Sequence, residues 1–244
     1  MESVKQGSAC VGLKSKTHCI IGALKRSVNE LSSHQKKIMR IDNHIGVGIA
    51  GLTADARSLA KWMRNECLNH KYVYGGPINS SKMMLELADK HQRTTQTYVR
   101  RPYGVGLLVA AYDEKLGPRL YQTCPSGTLH EYYASAIGAR SQSARTYLEK
   151  YFDTFPECSE EEMILHSLRS LKGCVSGDGA LDEENTSVLI ISKGSYKLLE
   201  GEDLKQYLEQ IASEIKEDDE EDVAEEGDAT GDGEQGEDAE AMET

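Results

Sequence analysis

Apolar residues alternate with small or polar ones through residues 8–14 and again through 17–26, with Ser15-Lys16 between the two runs. A period of two predicts strands, and the short break predicts a tight hairpin. Residues 38–42 and 44–52 predict a third and fourth strand around an Asp-Asn turn. The period then lengthens. Ala56, Leu59, Met63 and Cys67 recur every three or four residues, as on one face of a helix. Thr53 stands where a cap would, and Asp55 where it favours the first turn. Beyond Gly75-Gly76-Pro77, the stripe Met84, Leu87, Ala88 and His91 predicts a second helix, closed off by Arg101-Pro102-Tyr103.

The run GVGLLVAAY over 104–112 is apolar almost throughout, which suits a central strand covered on both faces. Further strands are expected over 119–123 and 130–136, separated by Pro125-Ser126-Gly127. A helix is expected over 141–155. Another opens at Ser159 with Glu162 three residues on, the pattern of a capping box. Strands over 186–192 and 196–199 follow, then a last amphipathic helix marked by Leu204, Leu208, Ile211 and Ile215. Helices thus arrive in pairs after runs of strands, not singly between them. That order predicts an α+β fold of antiparallel sheets with helices on their outer faces.

Charge divides the chain. Residues 217–244 hold 15 acidic side chains and no Lys or Arg, so of a net −12 the remaining 1–216 carry +3. The acidic stretch has almost nothing to bury and is expected to be a disordered tail, with the folded domain over 1–216. No run approaches 18 apolar residues, so no membrane-spanning helix is expected. The opening MESVKQGSACVGL lacks the basic and apolar regions of a secretory signal. Six scattered cysteines without a C-x-x-C pair suit free thiols better than a disulfide frame or a metal site. Lys36-Lys37 and Arg100-Arg101 are too small for a nucleic-acid footprint.

One motif asks for chemistry. Gly46-Val47-Gly48-Ile49-Ala50-Gly51 fits G-x-G-x-x-G after an apolar run and before a helical stretch. A dinucleotide fold, however, needs a parallel strand next, ending in an acid about twenty residues on. Here a second helix follows, and the sequence at that distance reads NHKYVYGG. The glycines are expected to serve close packing of a helix on the sheet. No phosphate loop, H-E-x-x-H or G-x-S-x-G pattern occurs, and no cofactor is expected.

Several ordered blocks carry a resemblance: ESVKQGSACVGLKS, ELSSHQKKIMRIDNHIGVGIAGLTADAR, RRPYGVGLLVAAYD, PSGTLHEYYASAIGARSQSARTYLEKY and TSVLIIS. Together they resemble the alpha subunits of the proteasome core particle over most of residues 2–211. NELSSHQKKI and IGARSQSARTYLEK are similar to the type 1 branch. The resemblance implies a four-layer αββα sandwich, the N-terminal-nucleophile hydrolase fold. It also implies a place in a heteroheptameric ring of alpha subunits, contact with beta subunits, docking of regulatory ATPases or other activators, and residence in cytoplasm and nucleus.

The resemblance also sets the site residues. Active relatives carry a chain-terminal Thr whose own amine is the base. Ser8 falls near that position and Lys37 near the family's lysine. Ser8 is acylated by Gly7, and Leu24 stands where the acid would be, so no catalytic residue is expected. Lys37 is instead expected to pair with the C-terminal carboxylate of a docking regulator, with backbone groups of Gly51 and Leu52 completing the pocket. Two alternatives remain open: a Ser8 peptidase freed by cleavage after Gly7, and a truncated form that fails to enter the ring. The second arises because the family's longer opening segment and most of its first helix are not seen before Ser3-Val4.

Overall fold

The computed structural model describes residues 2–27, 31–175 and 180–213. The chain divides into two compact units, 1–208 and 209–244. Of the second only 209–213 are described, and they are helical. The acidic stretch 217–244 lies outside the described residues.

The first unit holds two five-stranded antiparallel sheets. One runs in the order β10-β9-β2-β1-β8, from β1 (Cys10–Lys14), β2 (Cys19–Leu24), β8 (Ala134–Ile137), β9 (Thr186–Ser192) and β10 (Ser195–Glu200). The other runs β3-β4-β5-β6-β7, from β3 (Ile38–Asp42), β4 (Ile45–Gly51), β5 (Val105–Asp113), β6 (Gly117–Thr123) and β7 (Leu129–Tyr132). Helices α2 (Thr53–Tyr74) and α3 (Ser80–Gln96) cover the second sheet, and α4 (Ser141–Lys150) and α5 (Glu160–Lys172) cover the first. The layered α+β sandwich is therefore as the sequence order implies.

Alternation along each strand sorts its residues between two cores. Ile45, Val47 and Ile49 of β4 and Leu107 and Val109 of β5 pack on Leu59, Met63, Met84 and Leu87 of the helices. Ala50, Leu108 and Ala110 face the other way, onto Cys10, Ile21, Leu189 and Ile191 of the opposite sheet. The central apolar strand expected over 104–112 is β5, paired on both edges and buried on both faces.

The glycines of the G-x-G-x-x-G motif also face the opposite sheet. A Cβ on Gly46 would come within 2.3 Å of Leu189, and one on Gly48 within 2.3 Å of Cys10 Sγ. They admit side chains from the partner sheet, not a helix, which corrects the expectation. The helix-packing role belongs to Gly22, whose missing Cβ makes room for Ser167 and Leu171 of α5.

Four other expectations change. The strand expected over 130–136 is two strands broken at Tyr133, β7 pairing with β6 and β8 with β1, so the chain switches sheets there. The helix expected over 141–155 ends at Lys150, and a 3-10 turn follows at Phe155–Glu157. Thr53 is the first helical residue of α2; its cap is Leu52, which offers no side-chain acceptor. Glu2–Gln6 forms a five-residue helix, α1, that the strand pattern did not anticipate. It is seated on the second sheet, where Ser3 Oγ donates to Gly104 O at 2.9 Å. The capping box of α5 forms as expected, Ser159 and Glu162 each accepting the other's backbone N–H.

Candidate functional site

The turn from α1 into β1 carries the position of the family's nucleophile. Gly7 N–H donates to Val4 O at 3.2 Å, and Gly7 O accepts from Ala139 N at 2.7 Å. Ser8 is thus embedded in a continuous, hydrogen-bonded backbone, and its nitrogen is an amide whose lone pair is delocalised into the Gly7 carbonyl and cannot serve as a base. Its hydroxyl donates to Leu24 O at 2.7 Å, while Leu24 N–H donates to Ala9 O at 3.0 Å. The group facing Ser8 from the acid's place is a carbonyl on an aliphatic residue. A base and a polarising acid are both missing from this constellation, which cannot perform nucleophilic catalysis.

Lys37 lies just before β3 and is 3% exposed. Its carbonyl accepts from Ile49 N at 3.1 Å, which extends the β3–β4 ladder by one bond. Burial holds its pKa below the usual lysine range, opposed by Cys10 and assisted by Arg26. Burial pushes the Cys10 thiol up to about 12, and the charge of Lys37 opposes that rise. The solvated surface charge that a lysine normally presents is not what the fold makes of this one.

Gly51 ends the same β4 strand two residues beyond Ile49. Its φ of 123° and a Gly104 carbonyl 2.4 Å from any Cβ restrict the position to glycine. Leu52 N–H donates to Gly104 O at 2.9 Å, on the β5 side. Successive N–H groups of a strand point to opposite edges, so the Gly51 N–H points to the edge of β3 and Lys37. Leu52 O accepts from Ala56 N at 3.2 Å. Both backbone groups of Leu52 are therefore engaged within the chain, and what Leu52 offers outward is a side chain that is 47% exposed.

Asp55 fixes this corner. It accepts two hydrogen bonds from Arg101, at 2.7 and 2.9 Å, and one from Gly104 N at 2.9 Å. The bonds from Arg101 hold its carboxyl below the usual range. The structure therefore brings Lys37 and Gly51 to one strand end, with Leu52 beside them. It adds two residues the sequence did not single out, Cys10 and Arg26, both of which act electrostatically on Lys37, and the Gln35 N to Arg26 O bond of 3.1 Å ties the latter to the segment before β3. Cys10 could have been found from the alternation of β1; Arg26 falls at the end of the strand expected over 17–26, but β2 stops at Leu24 and leaves it beyond the ladder.

A family model for proteasome subunits matches residues 4–191. The chain belongs to the proteasome subunit family. It is 50% identical over 216 residues to proteasome subunit alpha type-1 of Dictyostelium discoideum, covering 88% of this chain and 87% of that protein. It is 50% identical over 212 residues to a probable proteasome subunit alpha type-6 of Schizosaccharomyces pombe, covering 86% and 78%. Against proteasome subunit alpha type-1 of Trypanosoma brucei rhodesiense it is 44% identical over 214 residues, covering 85% and 79%. These matches bear out the resemblance read from the sequence, and together with the inert Ser8 they make the chain a non-catalytic, structural subunit.

Proposed function

We propose that the chain builds the outer alpha ring of the proteasome core particle and that its Lys37 corner seats the C-terminal carboxylate of a docking regulator. The ring neighbours in this reading are other alpha subunits of a heteroheptamer, with beta subunits beneath. The incoming tails belong to regulatory-particle ATPases or other activators, and the sites of action are cytoplasm and nucleus. The observation that carries the reading is the β3–β4 register, which sets a buried lysine, Lys37, across from Ile49 and two residues from the strand end at Gly51. An arriving carboxylate would gain a charge-assisted hydrogen bond from the Lys37 ammonium and from the Gly51 N–H, stronger than neutral ones. It would also restore a favourable environment for the lysine's charge, which burial now disfavours.

Lys37→Ala tests this directly. A regulator's C-terminal peptide should bind assembled rings carrying the substitution at least about tenfold more weakly, the cost of a lost charge-assisted bond. Ring assembly should be unchanged. Equal peptide binding by the substituted and unsubstituted rings would remove Lys37 from the pocket.

A further inference from the structure

A second site lies apart from the Lys37 corner and shares no lining residue with it. Between α1, the ends of β5, β6 and β8, and the start of α4 is a cavity of about 610 Å³. Lys5, Arg140 and Arg145 line it, and none of its lining residues is acidic. Among the described residues no carboxylate forms an ion pair with any of the three. Both arginines are held by neutral carbonyls instead. Arg145 donates to Ala136 O from Nε and one terminal nitrogen, at 3.1 and 2.8 Å, and Arg140 donates to Val175 O at 2.6 Å. These bonds fix the guanidinium groups without offsetting their charge.

The α4 terminus adds to the same sign. Its cap residue, Arg140, supplies no side-chain hydrogen bond, and no acid stands in the first turn. Val4, Pro125 and Ile137 give the cavity apolar walls. A bare oxyanion would satisfy the cations and leave those walls wet. The volume falls in the range of pockets that enclose several linked groups.

We propose that this cavity receives a short protein segment that presents one carboxylate beside an apolar side chain. The cations would orient the carboxylate, and the apolar walls would supply the area that a free anion cannot bury.

The test uses the full 244-residue chain, isotope-labelled for amide spectra. It is titrated with the blocked peptide Ac-Leu-Glu-Leu-NH2, with its Gln counterpart, and with inorganic phosphate. The Glu peptide should shift the amides of Ser141 and Gln142, and the Gln peptide should bind about tenfold more weakly. Lys5→Gln with Arg140→Gln should weaken the Glu peptide by about tenfold, with the thermal midpoint unchanged. Lys5→Gln alone changes only an exposed side chain of α1, and should weaken it by about threefold. Equal binding of the two peptides, no binding, or tighter binding of phosphate than of the Glu peptide would each overturn the proposal. Failure of the Lys37 docking test would leave it standing.

Discussion

Burying a lysine works against folding, because the ammonium gives up water that the interior replaces only in part. Lys37, 3% exposed, carries that cost, while Ser8, the apparent nucleophile, is tied to Leu24 O. Lys37→Met should therefore leave the isolated chain as stable as before, or more stable by about 1 kcal/mol at pH 7. The pH dependence has a definite sign. Burial sets the folded pKa below the ordinary 10.5, so between the two values the unfolded chain binds more protons. The native lysine gains stability as pH rises through that window, and its penalty is fully present below it. The advantage of Lys37→Met in denaturant unfolding should shrink from pH 7 toward pH 10. An advantage that grew with pH would mean that the folded state holds the ammonium more tightly than water does. Lys37 itself was legible in the sequence through the KKIMRID block, but its burial was not. Lys36, its neighbour of the same type, is exposed, and only the pairing of β3 with β4 decides which of the two points inward.

At the scale of elements, the glycines of β4 set how closely the two sheets approach. Gly46 and Gly48 stand opposite Leu189 and Cys10, with no room for a methyl group. Gly48→Ala would force the Cys10 side chain and Ile21 to move and should cost about 1–3 kcal/mol in thermal or denaturant unfolding. A change within experimental error would mean that the sheets separate freely there. Periodicity revealed most of the elements, because each strand buries residues on alternate sides and each helix along one stripe. What it could not reveal was the destination of a face. The two glycines share a side of β4, as alternation requires, yet sequence alone does not say whether that side meets a helix or a second sheet. The break at Tyr133 was hidden for a related reason: both β7 and β8 have strand-like residues, and the switch is dictated by pairing with β6 and β1, far away in the chain. Helix α1 escaped notice because five residues carry too little periodic signal, and its support comes from Ser3 bonding to Gly104.

At the scale of the whole molecule, the fold of an N-terminal-nucleophile hydrolase is retained while its chemistry is absent. Ser8 is acylated, its hydroxyl is engaged, and an aliphatic residue replaces the acid. What the molecule offers instead is a buried lysine at a strand end, a cationic cavity at α4, and membership of a family whose members assemble. Those features make sense in a subunit that holds others in place. The most direct measurement is native mass analysis of a tagged copy recovered from cells, combined with a hydroxyl-reactive inhibitor that labels active peptidase subunits. A complex of core-particle size, holding other proteasome subunits and with this chain unlabelled, is the predicted result. A free monomer, or inhibitor bound to Ser8, would contradict the account.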